Sequence, residues 1–126
     1  MKKPQDAGLT KLELRIMQAV WKLGSGTVSA VQTELETPLA YTTVQTMLNI
    51  LERKGKLRRV RDGRAFVYSA RVSEARALRQ GVSDLVDRMF GGSNEELVMS
   101  LLKSGQMDAK KLAELTERFE REAGES

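Results

Sequence analysis

A mostly α-helical fold with one small β-hairpin is what the sequence predicts, and three observations carry that prediction. Apolar residues recur at three- and four-residue spacing through most of the chain. Two strand-like runs flank a single Asp62-Gly63. Thr10-Lys11-Leu12-Glu13 and Ser93-Asn94-Glu95-Glu96 both have the Ser/Thr-x-x-Glu form of a capping box, in which hydroxyl and carboxylate satisfy the orphan backbone donors of a helix start. At 126 residues the chain fits one compact domain, or a small one with an appended oligomerisation element.

The first helix is predicted to open at Thr10 and to carry Leu12, Ile16, Ala19, Val20 and Leu23 on one stripe, with Gly24-Ser25-Gly26 as its stop. Trp21, beside that stripe, suits the core or an edge that touches a partner. Thr27 and Val28 suit a very short extended piece before a second helix over about residues 29–36, with Val31 and Leu35 inward. Thr37-Pro38 is expected to end that helix, because proline disfavours helix in the residue before it.

A third helix is predicted over residues 41–54, stopping at Gly55. Val44, Met47, Leu48 and Leu51 make its buried stripe, and Thr42, Gln45, Thr46, Asn49 and Arg53 line the other side. Residues 57–61 and 64–68 then read as a hairpin turning on Asp62-Gly63, which tolerates the positive φ of a tight turn. With that turn Arg61 and Arg64 stand opposite each other, a like-charge pair that destabilises a free hairpin and that a phosphate between them would relieve.

Beyond Ser73 the pattern is helical throughout. Leu78, Val82, Leu85, Val86, Met89 and Phe90 form one stripe, ended by Gly91-Gly92; Leu97, Val98, Leu101 and Leu102 form a second, ended by Ser104-Gly105. Asp108 is expected to cap a last helix, with Met107 stapled onto Leu112 and the face continued by Leu115 and Phe119, while residues 124–126 fray. The expected organisation is residues 1–72 as one domain and 73–126 as a helical second one.

Composition removes whole classes of chemistry. The chain has no cysteine and no histidine, so disulfides, thiolate or imidazole metal sites, cysteine nucleophiles and histidine general bases are excluded. No clustered carboxylates and no phosphate-cradling glycine loop are visible, and neither enzymatic activity nor a cofactor or metal is expected. No apolar run has membrane-spanning length and the start lacks the apolar stretch of a secretory signal, so the expected address is the cytoplasm, without membrane insertion. The net charge of +4 is unevenly spread: residues 1–72 carry +7 and residues 73–126 carry −3. That is the pattern of a chain with a polyanion at one end and protein or water at the other, although ordinary variation of surface charge gives it too.

Helix, short strand, helix, helix, two-stranded hairpin is the order of a winged helix-turn-helix, whose third helix enters the DNA major groove. On that helix Gln45 suits a bidentate pair with an adenine edge, and Thr42 and Thr46 suit thymine methyls or base hydroxyl contacts. Tyr41 and Thr43, nearer the start, suit the sugar-phosphate backbone. Seven Lys/Arg lie between residues 53 and 64, against Asp62 inside and Glu52 just outside, a density that suits phosphate; Arg53, Lys54, Arg61 and Arg64 are the backbone-contact candidates. The alternative for the helix alone is a solvated amphipathic surface; the adjoining wing favours DNA.

The tail poses a burial problem. Three short helices with apolar stripes cannot each bury a face within so small a chain, and each side chain left exposed forfeits roughly 1.5 to 3 kcal/mol. Leu78, Val82, Leu85, Met89, Phe90, Leu97, Leu101, Leu112, Leu115 and Phe119 are therefore expected to form a dimerisation surface for a second copy of the chain. The alternative is that the three helices complete one core with the winged domain.

The residues also carry a family resemblance. Leu9-Thr10-Lys11-Leu12-Glu13, Ala19-Val20-Trp21, the run from Ala40-Tyr41-Thr42-Thr43-Val44-Gln45-Thr46 to Met47-Leu48, Leu51-Glu52-Arg53-Lys54-Gly55, Gly63-Arg64-Ala65 and Phe90-Gly91-Gly92-Ser93 together resemble the penicillinase-repressor (BlaI/MecI/CopY) family, from about Leu9 to Phe119. The resemblance implies a homodimeric transcriptional repressor on dyad-symmetric operator DNA, governing β-lactam resistance, copper handling or other genes, with the C-terminal helices interlocked. It matches Thr42, Gln45 and Thr46 to base-contacting positions, Thr43 to a backbone-contacting threonine, and Arg64 to a wing-tip position near the minor groove or phosphate. Copper-responsive members carry a cysteine-rich tail that this chain lacks. Members inactivated by a regulatory protease are cut at an Asn-Phe bond; the matching pair here is Ser100-Leu101. The rival expectation is a sequence-tolerant DNA architectural protein in which the basic wing dominates and the helix reads no bases.

Overall fold

The computed structural model describes residues 8–125; the start of the chain read for a secretory signal and the last residue of the expected fray lie outside them. Thr10 opens helix α1 (Lys11–Leu23) with both halves of its capping box: Thr10 Oγ1 accepts from the Glu13 amide at 3.1 Å, and Glu13 Oε1 accepts from the Thr10 amide at 2.8 Å. Gly24, at φ 81°, ends the helix and donates its N–H to the Val20 carbonyl at 2.8 Å. The face so aimed buries Ile16, Met17, Ala19 and Val20.

The extended piece comes two residues earlier than the sequence suggests. Strand β1 is Ser25–Gly26, and Thr27 is instead the N-cap of α2 (Val28–Glu34), accepting from the Ala30 amide at 3.2 Å. A hydroxyl that satisfies a helix donor is worth more at that position than in a strand. Space is tight at Gly26: a Cβ on it would lie 3.1 Å from Leu23 Cδ1 and 3.3 Å from Ala30 Cβ, so these neighbours would have to give by a few tenths of an ångström. Helix α2 also ends sooner, at Glu34, with Leu35 already extended, so Pro38 restricts the following loop rather than terminating the helix. Arg15 Nη2 donates to the Thr37 carbonyl at 2.7 Å and Gln32 Nε2 to the Leu39 carbonyl at 3.0 Å, which pins that loop and with it the entry to the next helix.

Helix α3 (Tyr41–Arg53) buries Val44, Leu48 and Leu51 completely, with Met47 at the edge of the stripe. Strands β2 (Leu57–Asp62) and β3 (Ala65–Ala70) form the wing, and β1 joins the far edge of β3 through Ser25↔Ser69 and Gly26↔Tyr68, giving the antiparallel order β1-β3-β2. Asp62 pairs with Ala65 and Arg61 with Phe66, so the two turn residues are Gly63 and Arg64. Arg61 and Arg64 are therefore not cross-strand partners, contrary to the expected directly opposed pair. Gly63, at φ 65°, takes the first central position and Arg64 has no positive φ, the pattern of a type II′ turn.

Ile16, Met17, Val20, Val31, Val44, Leu48, Leu51, Leu57 and Tyr68 anchor a single core cluster drawn from α1, α2, α3 and the wing. Trp21 Nε1 donates to the Val72 carbonyl at 3.0 Å, tying α1 to the segment that follows the wing.

The described chain divides into two compact units, one up to Val82 and the other from Ser83, so that helix α4 (Glu74–Met89) runs through the division. In the second unit α5 (Asn94–Lys103) opens on Ser93, whose Oγ accepts from the Glu96 amide at 3.2 Å; the Ser93 amide donates to the Phe90 carbonyl at 2.9 Å rather than to the Glu96 carboxylate, so half of the expected box forms. Asp108 caps α6 (Ala109–Gly124), accepting from the Lys111 amide at 2.7 Å. Neither α5 nor α6 contains a buried residue, and in α4 only Asp84 and Val86 are buried. Ser100 is exposed and Leu101 half-buried within α5.

Candidate nucleic-acid interface

The outward face of α3 is polar and open. Tyr41, Thr42, Gln45, Thr46 and Arg53 are exposed or nearly so, and Thr43 is half-buried. Helix α3 starts at Ala40, which offers no side-chain cap, and its first turn has no acidic residue. Thr10, Thr27, Ser93 and Asp108 cap α1, α2, α5 and α6 with side-chain oxygens. The first-turn amides of α3 are thus left for an outside acceptor, at the end of the helix where the dipole favours negative charge.

Asn49, which the sequence places on the same outward face, is committed to the wing. Its Oδ1 accepts from the Tyr68 hydroxyl at 2.9 Å and from Arg59 Nη1 at 3.4 Å. Arg59 lies over the Phe66 ring at 4.4 Å from its centroid, and its Nε is 3.9 Å from Glu52 Oε1. Arg61 lies 5.7 Å from the same ring and donates from Nε to the Gly63 carbonyl at 3.3 Å. Sequence reasoning missed these roles; the available signal was Tyr68, because a buried tyrosine must find a partner for its hydroxyl.

Lys54 is committed in the other direction. Its ammonium meets Glu13 Oε2 at 2.6 Å, and Glu13 is only 2% exposed. Burial alone would push the Glu13 carboxyl up; the Lys54 hydrogen bond, the Thr10 amide, the Lys54 charge and the Thr10 hydroxyl outweigh it and hold the carboxyl below the ordinary glutamate range. Sequence reasoning assigned Lys54 to phosphate, but here its charge locks the end of α3 to the start of α1. Arg53, Arg58 and Arg64 have no hydrogen-bond or ion-pair partner among the described residues, and Arg58 and Arg64 are exposed on the wing. Helix face and wing together therefore present hydrogen-bonding side chains beside uncompensated positive charge.

A three-helix core carrying a β-hairpin wing, with that surface on its third helix, defines a winged-helix DNA-binding regulator. Over residues 9–121 the sequence matches the family described as penicillinase repressor, and the chain belongs to that family. It is 30% identical over 114 residues to the penicillinase repressor of Bacillus licheniformis, covering 89% of each chain, and 19% identical over 109 residues to the penicillinase repressor of Staphylococcus aureus, covering 85% of this chain and 86% of that one. The solution structure of the DNA-binding domain of the repressor BlaI is similar at TM-score 0.50 and 35% identity, over 60% of this chain and 92% of that one. A mutant MarR from E. coli complexed with operator DNA shares the fold at TM-score 0.51 and 17% identity, over 90% of this chain and 74% of that one. The chain is accordingly a DNA-binding transcriptional repressor and not an enzyme. Among the described residues no helix is long and apolar enough to cross a membrane.

Proposed function

We propose that the chain represses transcription by binding dyad-symmetric operator DNA as a homodimer, with residues 1–72 on the duplex and residues 73–126 joining the two copies. The observation that carries the DNA half is the exposed Thr42, Gln45 and Thr46 face of α3, free of carboxylate in its first turn, beside wing residues Arg58 and Arg64, which have no hydrogen-bond or ion-pair partner among the described residues. Gln45 pairs with an adenine edge while Thr42 and Thr46 meet thymine methyls. Tyr41, Thr43 and the uncapped amides hold one phosphate strand, and Arg53, Arg61 and Arg64 neutralise its neighbours. The low-exposure pairing of Lys54 with Glu13 removes Lys54 from that set.

What supports the homodimer is the apolar surface of the helical tail. Leu78, Val82, Met89 and Phe119 are each more than half exposed, and Leu85 is 40% exposed. Phe90, Leu97, Leu101, Leu112 and Leu115 are half-buried beside them in sequence. An isologous partner covers such stripes, and two linked wings add their operator contacts. The named relatives are penicillinase repressors, so a β-lactam-response operon or a related stress operon is the regulated class we propose. A regulatory protease acting at Ser100-Leu101 would have to open α5 first, since the Ser104 amide donates to the Ser100 carbonyl at 3.0 Å.

The test is affinity for the chain's own promoter against random duplex of equal length, across salt. The repressor reading predicts tighter promoter binding by at least ~10³-fold. Equal affinity with the same salt slope on both duplexes would leave only the architectural reading.

A further inference from the structure

The wing arginines do not share one environment. Arg58 and Arg64 have no protein partner among the described residues, whereas Arg59 is held on three sides by Phe66, Asn49 and Glu52. Those three come from both halves of the interface: Phe66 from β3 of the wing, Asn49 and Glu52 from adjacent turns of α3. Asn49 Oδ1 also takes the Tyr68 hydroxyl, so one amide oxygen collects two donors from the wing.

We propose that Arg59, held between the Phe66 ring and Asn49, is a positioning residue that sets the angle between the wing and α3. It thereby fixes the distance the duplex must match between the base-reading side chains and wing-tip Arg64. This rests on the reading of α3 and the wing as one DNA-contacting surface.

Three features favour a strut over another phosphate ligand. Stacking on an aromatic face and a planar hydrogen bond are both directional, so together they define an orientation, which a solvated arginine does not. Glu52 is the only carboxylate of α3, and on a DNA-facing helix it would oppose binding were its charge not matched locally; Arg59 supplies that match at 3.9 Å. The register places Arg59 opposite Tyr68 and Arg61 opposite Phe66, putting all four on the strand face that also carries buried Leu57. That face looks toward the core at Leu57 and Tyr68, beside which Arg59 lies, whereas Arg61 lies next to the turn at the wing's tip and Arg58 points the opposite way.

The experiment compares Phe66→Leu, Phe66→Trp and Arg59→Gln in the full chain. Two probes are used: a duplex selected in vitro by the wild-type chain from a randomised pool, and poly(dI-dC). Phe66→Leu and Arg59→Gln are expected to lower affinity for the selected duplex about two- to tenfold. Phe66→Leu leaves affinity for poly(dI-dC) and its salt slope at the wild-type value; Arg59→Gln, which unmasks Glu52, lowers affinity for poly(dI-dC) less than for the selected duplex, with its salt slope unchanged; and Phe66→Trp, which keeps an aromatic face, binds as wild type. Arg59→Gln, at a well-exposed position, carries the test should Phe66→Leu fail to fold. Unchanged affinity for the selected duplex in Arg59→Gln overturns the proposal. So does a salt slope reduced by about 0.9 on both duplexes, which would make Arg59 a phosphate ligand. A Phe66→Trp variant as weak as Phe66→Leu overturns the stacking half of it. A wild-type chain that binds both duplexes equally overturns base reading and the strut with it, and is told apart because it shows before any substitution is made.

Discussion

Helices α1 and α6 are both amphipathic and of similar length, 13 and 16 residues, yet α1 has five buried residues and α6 has none. The winged unit closes its apolar stripes against one another, through Ile16, Val31, Leu48, Leu51 and Tyr68. The tail leaves Met89 at 69% and Phe119 at 71% exposure. An amphipathic helix states that a face must be covered; it does not state by what. In the winged unit the cover is the chain's own wing and α2, and for the tail we infer a second copy of the chain.

Placing a charge on the tail stripe breaks that contrast most severely. Phe119→Asp combined with Leu85→Glu is expected to convert a dimer to monomers and to weaken operator binding roughly 10²-fold or more, as the linkage between two wings is lost. Sedimentation equilibrium and a titration on the same sample check both, and an unchanged dimer refutes the assignment of that face. Next in size is a paired truncation. Leu48→Ala, in the closed core, should cost about 2–5 kcal/mol in denaturant unfolding of the winged unit. Met89→Ala should leave that transition unmoved while raising the dimer dissociation constant.

A smaller effect separates the two uses of charge in the winged unit. Lys54→Met leaves Glu13 buried without its cation and should cost about 1–3 kcal/mol near neutral pH, less than a fully buried pair because Lys54 is partly solvated. The Glu13 carboxyl is held below the ordinary glutamate range in the folded chain. Its contribution is therefore complete above that range and is lost as pH falls through it toward the folded value. Unfolding followed across acid pH should show that loss in the wild type and lack it in Glu13→Gln. Arg64→Ala, at the exposed turn, should leave stability unchanged, weaken all duplexes alike and reduce the salt slope by about 0.9.

What was legible in the sequence was local. The Thr10-Glu13 box and the Val44, Leu48, Leu51 stripe are set by spacing within one helix, and both form as read. The hairpin was legible but its turn was displaced by one residue, because register is decided at the base of the wing, where Leu57 pairs with Ala70, as well as at the tip. Strand β1 was misplaced because its pairing, Ser25 with Ser69, spans most of the winged unit. The exposed Thr42, Gln45 and Thr46 face could be read from periodicity. The commitments of Lys54 to Glu13 and of Asn49 to Tyr68 could not, since the partners lie 41 and 19 residues away.

The central claim is that the polar side of α3 lies against base edges. It is tested most directly by measuring the base preference of Gln45→Ala at every position of a duplex selected by the wild-type chain. Preference should fall at a single base pair, repeated symmetrically in each half-site, by about 1–3 kcal/mol, with the other positions unchanged. A Gln45→Ala chain that keeps the wild-type preference throughout, or loses affinity evenly on every sequence, would contradict it.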